Sequence, residues 1–207
     1  MRLLVVGAGG HAKVVVDAAE AAGHDVVGVI GLPSDPSHVL GHPVVDGLDG
    51  IQAEGFVIAI GDNATRARFF AQYCESGLVP AVVVHPSVIV GSDVELGAGT
   101  FAAAGVVINT GARIGADSIL NTGCSVDHDC IVGAHSHLGP QVALCGTVTL
   151  GEGVLMGVGS CASPGASVGA WSVVGAGAAV VGELPSLSVC IGVPARAVRT
   201  IEEHPGV

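Results

Sequence analysis

The 207-residue sequence predicts a small parallel α/β domain followed by a three-sided parallel β-helix. Three observations predict it. An apolar residue recurs every six positions, without a slip, from Val90 to Val180. Ahead of that repeat, strand-like apolar runs alternate with helix-like runs, the pattern of a small parallel sheet. Composition agrees with both, since 33 residues are Gly, 3% are aromatic and only 12% are charged, against about 7% Gly and about 25% charged in ordinary domains.

Taken in order, Arg2–Val6 reads as a buried strand that runs into Gly7-Ala8-Gly9-Gly10. A helix is expected over 11–22, stopped by Gly23. Residues 25–30 and 56–60 read as further strands. A second helix is expected over 63–76, with Asp62 or Asn63 as its N-cap and Gly77 as its stop. A strand over 81–84 leads to His85-Pro86, where the repeat opens. The expected domains are therefore 1–85 and 86–185, with a polar C-terminal tail over 186–207.

The repeat fits neither the helical period of 3.6 nor the strand period of 2. Sixteen successive sixth residues are apolar, fourteen of them Val, Ile, Leu or Met and two Ala. The following residue is Gly in nine cases, with Asn109, Asn121 and Asp127 among the others. These types tolerate unusual backbone angles, so corners are expected there. Three such units make an 18-residue coil. Five coils span 90 to 180, a prism roughly 24 Å long at a strand spacing of about 4.8 Å.

Composition also excludes several classes. Collagen fails for want of a three-residue glycine period, and disorder fails on the abundance of Val, Ile, Leu and Ala. The mean hydropathy of +0.69 makes a membrane protein the serious rival. Yet the uncharged stretch 153–182 is broken by eight Gly, four Ser and one Pro, which leaves no membrane-spanning run. A soluble chain is expected, with no membrane partner. The N-terminus is too short in apolar residues for a signal peptide, and the six cysteines form no C-x-x-C pair, so reduced thiols in the cytoplasm are expected. A net charge of −11 argues against nucleic acid as a partner.

Three clusters carry candidate chemistry. Gly7-Ala8-Gly9-Gly10-His11-Ala12 is an incomplete dinucleotide fingerprint, yet its turn offers free N–H groups and a helix dipole to an anion. Lys13, the chain's one lysine, stands in the first turn, where the dipole disfavours a cation unless a phosphate is bound. Gly61-Asp62-Asn63 with Arg66 forms a second polar patch at a strand's carboxyl end, or a plain helix cap. His128, His135 and His137 fall on a prism almost without other ionisable groups. His128 and His137 are expected to point outward, and Asp127 and Asp129 flank His128. A carboxylate on one imidazole nitrogen leaves the other free as a general base. The bland alternatives are a hydrated surface histidine, or a repeat scaffold without chemistry. A zinc site made by the three histidines is a further reading. No G-x-S-x-G turn of a serine hydrolase is present.

Four stretches, VVGAGGHAKVVVDAA, IAIGDNATR, LNTGCSVDHDCIVGAHSHLGP and IGVPARAVR, give the chain a resemblance over essentially its whole length. It resembles the bacterial hexapeptide-repeat sugar O- and N-acyltransferases of the sialic acid O-acetyltransferase and bacillosamine-pathway type. The resemblance implies a Rossmann-like domain for a nucleotide sugar and a left-handed β-helix for acetyl-CoA, assembled as a homotrimer with sites between neighbouring prisms. It implies His128 as general base, Asp129 as the acid that raises its basicity, and Asn121 as an aid in placing the acceptor. His137 would contact the thioester, and Gly146, Val158 and Ala176 the pantetheine arm. Arg196 and Arg199 are expected at phosphates. Gly9, Gly10 and His11 match the nucleotide-sugar loop, with Gly61 and Asp62 in the same cleft. One departure stands out. Relatives carry an acidic pair after the second strand, whereas here Gly31-Leu32-Pro33-Ser34 precedes Asp35-Pro36. Asp35 alone remains to read a base, which favours a guanosine or thymidine sugar, or a free sugar, over uridine.

The expected activity is acetyl-CoA-dependent N-acetylation of a nucleotide-linked amino sugar, with no metal. Sugar O-acetylation is the near alternative. A zinc-dependent, carbonic anhydrase-like protein and a non-catalytic sugar-nucleotide scaffold are the alternatives of other classes.

Overall fold

A computed structural model describes residues 1–32 and 34–202. The first strand, β1 (Arg2–Val6), is buried from Leu3 onward and ends at Gly7. Gly7 has φ +112, and a Cβ there would lie 2.9 Å from the Ala59 carbonyl oxygen, so only glycine makes this turn. The chain then enters α1 (Gly10–Ala21), whose Ala12, Val15, Val16, Ala18 and Ala19 form the buried stripe. β2 (Asp25–Ile30) returns parallel to β1. A hairpin missed in the sequence follows, β3 (His38–Val39) and β4 (His42–Val45), with β4 parallel to β2. β5 (Gly55–Ile58) pairs with the other side of β1, and α2 (Asn63–Cys74) and β6 (Val79–Pro80) complete the unit.

The strand order β3-β4-β2-β1-β5-β6 places α1 and α2 in crossovers on opposite sides of β1. The order reverses between β1 and β5. Open α/β sheets hold ligands outside the carboxyl ends of the strands at such a point.

The rest is a parallel β-solenoid of three six- to eight-stranded flats. Two-residue strands pair with the one 18 residues later, as Val107↔Ser125 and Ile108↔Val126 do, until the last coil, where Val168↔Leu184 and Val174↔Cys190 are 16 apart. Inside, Leu120, Val126, Val132, Leu138 and Leu144 are at most 2% exposed. The first flat begins with Val83–Val84, which pairs with Phe101–Ala102. The solenoid therefore starts ahead of the expected boundary at 86. It also continues past 185: Ser188–Ile191 extends the first flat in parallel, and Arg196–Thr200 closes it antiparallel.

The corners differ from expectation in one respect. Positive φ recurs at every sixth residue from Asp93 to Gly177, three places after the inward residue rather than one. Glycine one place after serves another purpose. A Cβ at Gly91 would lie 2.7 Å from the Thr110 nitrogen of the next coil, and one at Gly139 would lie 2.9 Å from the Met156 carbonyl oxygen. Those glycines let successive coils touch. At the left-handed corners themselves stand several residues other than glycine, including Asp117, Asp129, His135 and Trp171, each at a cost of roughly 1 kcal/mol or more.

The two parts share a core. Val83, Phe101, Ala103 and Ile119 of the first flat pack in one apolar cluster with Ala12, Val15, Val16 and Ala19 of α1. Among the described residues, no helix is long and apolar enough to cross a membrane.

Candidate active site

A cleft of about 550 Å³ opens at the carboxyl ends of β1, β2 and β5, where the strand order reverses. Gly9, Gly10, His11, Asp35 and Gly61 line it as expected, joined by Ile60, Phe69 and Tyr73 as apolar wall. A Cβ at Gly9 or Gly10 would meet nothing within 4 Å, so these glycines leave the α1 N-terminus bare toward the cleft. No side chain caps that terminus and no acid sits in its first turn, which suits an anion there. Lys13 is exposed on α1 and does not line the cleft. Asp62 does not line it either, because its Oδ1 caps α2 by accepting from the Thr65 N–H at 2.9 Å. Asp35 closes its own turn, with Oδ2 accepting from the Leu32 N–H at 2.8 Å.

His11 stands at the inner end of the cleft, edge-on to Phe101 and with its ring 6.2 Å from that of His137. Burial, aided by the Arg66 charge, lowers its pKa to about 4. Its Nε2 is buried and lacks a hydrogen-bond partner. His137 projects from the first solenoid flat, and its Nδ1 lies 3.1 Å from the Gly61 carbonyl oxygen. A carbonyl can only accept, so Nδ1 carries the proton and Nε2 accepts from the Asn121 amide, 3.2 Å away. The pKa of His137 is lowered to about 4, mainly by burial. Neutral His137 is thus fixed in one tautomer between the cleft wall and Asn121.

His128 lies elsewhere, at the edge after the second flat. Its Nδ1 is 2.9 Å from Asp129 Oδ2, and its imidazole is half exposed. The left-handed corner at Asp129, φ 57, turns that carboxylate back toward the ring. Asp127 is otherwise engaged: its Oδ1 accepts from the His128 N–H and from Asn109 Nδ2. The hydrogen bond that Nδ1 donates to Asp129, with the charges of both acids, holds the imidazole pKa above its usual 6.5. On the coil beyond, a Cβ at Gly146 would lie 2.5 Å from His128 Nε2. That nitrogen therefore faces bare backbone, with its lone pair free.

Val158 and Ala176 occupy successive coils on the edge after the first flat, both exposed, and share that edge with Asn121. Gly146 is on the His128 edge. Within one chain, the His128–Asp129 pair and the Asn121–His137 pair thus occupy different edges of the prism. Arg196 is exposed on the antiparallel closing strand, donating to the Ala195 carbonyl.

One cluster was missed in the sequence. Arg66, read there as part of a polar patch at a strand's carboxyl end, is fully buried. Its Nε donates to the Asp117 carbonyl and lies 3.3 Å from the Asp117 carboxylate, which also accepts from His135 Nδ1 at 2.8 Å. His135 in turn stacks on Trp171. A usable signal was Asp and His at 117 and 135, two positions of the six-residue register where glycine is common. The three histidines each have separate partners and do not converge. Among the described residues, no group of three His, Cys, Asp or Glu is placed to hold a metal ion.

Residues 2–73 match the family described as the PglD N-terminal domain. The carnitine operon protein CaiE of Escherichia coli is 33% identical over 148 residues, which cover 63% of this chain and 73% of that one. PerB from Caulobacter crescentus, solved with CoA and GDP-perosamine, is 39% identical with a TM-score of 0.90, covering 96% of this chain and 98% of that one. This chain belongs to the hexapeptide-repeat sugar acyltransferases. The acetyltransferase domain of PglB from Neisseria gonorrhoeae, 30% identical with a TM-score of 0.90, matches 95% of this acyltransferase and 99% of its own chain.

Proposed function

We propose that the protein is an acetyl-CoA-dependent N-acetyltransferase acting on the amino group of a nucleotide-linked amino sugar, with His128 as its general base. The observation that carries this reading is the His128 imidazole, held through Nδ1 by Asp129 and free at Nε2 over bare Gly146. The relatives supply the substrate class, since the PerB structure holds CoA and GDP-perosamine, as does that of a perosamine N-acetyltransferase variant from Caulobacter crescentus, 40% identical to this chain.

The nucleotide enters the cleft with its base against Ile60, Phe69 and Tyr73 and its phosphates at the bare α1 N-terminus. The sugar then extends past His11 toward Asn121 and His137. Its amine attacks the thioester carbonyl, the nitrogen–carbon bond forms, and His128 Nε2 takes the amine proton. As the tetrahedral centre collapses the carbon–sulfur bond breaks, and the imidazolium returns the proton to the departing thiolate. The backbone near Gly146, Val158 and Ala176 carries the pantetheine arm, and Arg196 meets phosphate.

The two pairs on different edges come together when prisms pack side by side. We take the coils to be left-handed and the assembly to be a homotrimer, with His128 and Asp129 of one copy facing Asn121 and His137 of the next. Exposed Ile89, Ile131 and Val158 support burial of these faces. The chain works in the cytoplasm, in keeping with its six free cysteines.

The deciding experiment measures thiol release from acetyl-CoA with GDP-, UDP- and dTDP-linked amino sugars. Release with at least one acceptor supports the reading, and release with none overturns it.

A further inference from the structure

We infer that Arg66 is a positioning residue that bolts the cleft wall to the solenoid and so sets the place and tautomer of His137. The inference deepens the proposed function, because it concerns how the acceptor sugar meets the solenoid.

Helix α2 has two working faces. Thr65, Phe69 and Tyr73 look into the cleft. On the other face, Asn63 Nδ2 donates to the Gly153 carbonyl at 3.0 Å, and Arg66 is buried against the solenoid. The guanidinium reaches both sides of the junction. Nη1 donates to the carbonyls of Ile60, at 3.1 Å, and Gly61, at 3.4 Å, both in the cleft wall. Nε and Nη2 donate to the carbonyls of Asp117, His135 and Ser136 on the solenoid.

These acceptors bracket one bond. Gly61 supplies the carbonyl that receives the His137 Nδ1 proton, and Ser136 is the residue before His137. Arg66 therefore holds both ends of the contact that orients His137. A planar fork with five donors on three nitrogens spans these five carbonyls, whereas a lysine ammonium has three donors on a single nitrogen. Asp117, shared with His135, supplies the counter-charge. A buried pair of this kind adds little net stability compared with apolar packing. Its contribution is geometric, a fixed spacing between the nucleotide-sugar cleft and the solenoid edge.

The test uses Arg66→Lys and, should that chain fail to fold, His135→Gln, which keeps the His135 carbonyl and removes the imidazole that holds Asp117. Steady-state kinetics with acetyl-CoA and the best nucleotide sugar are combined with two-bond proton–nitrogen NMR of the His137 ring. Wild type should show a single Nδ1–H tautomer. The variant should show a tautomer mixture, with kcat reduced about tenfold to a hundredfold, the range in which misplacement by about 1 Å acts, and KM for both substrates within about twofold. A lower Tm with unchanged kcat, or an unchanged His137 tautomer, overturns the inference. The NMR arm needs no turnover. If wild type proves inactive, the function reading fails while the NMR still tests the positioning.

Discussion

The Asp129 carboxylate accepts from His128 Nδ1 at 2.9 Å, and it reaches back to its sequence neighbour because the Asp129 backbone takes the left-handed conformation at φ 57. Adjacent residues on an extended strand would point apart. The corner of the coil is what makes a base and its orienting acid out of neighbours.

That pairing fixes a pH dependence. The bond donated to Asp129, with the flanking charges, raises the imidazole pKa above 6.5, and a general base acts only when unprotonated. The rate should therefore fall as pH drops through the raised value. In Asp129→Asn the bond to a carboxylate is gone, so the imidazole titrates lower. A kcat/KM profile should show the acid limb shifted to lower pH together with a reduced plateau. A limb that stays in place contradicts the assignment of Asp129.

Gly146 should be sensitive for a local reason. A Cβ there would stand 2.5 Å from His128 Nε2, and the half-exposed imidazole can swing aside without unfolding the coil. Gly146→Val should lower kcat at least tenfold, by roughly 1.4 kcal/mol or more of barrier, with Tm nearly unchanged. Thermal melts beside steady-state rates separate this from a folding defect.

Two histidines should make stability depend on pH. His11 and His137 each titrate near 4 in the folded chain because burial disfavours their charged forms. Unfolded, they bind protons near 6.5. Between these values the unfolded state holds more protons, so stability is full above about 6.5 and is lost as pH falls toward 4, by at most about 1.4 kcal/mol per unit for each. Chemical denaturation across this window should show the loss, and His137→Asn should remove about half of it, leaving the part due to His11.

Phe101 carries the seam between α1 and the first flat, with 1% of its surface exposed. Phe101→Ala should destabilise the chain by about 3–5 kcal/mol, measured by denaturant titration. A loss under 1 kcal/mol would contradict that role for Phe101.

The solenoid was legible because its signal is one-dimensional. A six-residue period in apolar residues, such as Leu138, Leu144 and Leu150, requires no knowledge of distant partners. His128 and its two flanking acids stood out for the same reason, as ionisable groups on a nearly bare prism. The residues alone left open which acid faces the ring, because the corner angle at Asp129 decides it. The register of the corners was not, because glycines at 91 and 139 are needed for coil contact rather than for backbone angle. Arg66, Asp117 and His135 were invisible as a group. They lie 51 and 69 residues apart, counted from Arg66, and meet only when α2 docks on the solenoid. The hairpin of β3 and β4 escaped because strands of two and four residues carry too little pattern.

The most direct test of the central claim is thiol release from acetyl-CoA by His128→Ala, with the nucleotide-linked amino sugar that wild type acetylates best. General-base loss predicts a fall of about 10²–10⁴-fold, with CoA binding and oligomeric state intact. Turnover equal to wild type in that variant would contradict the account.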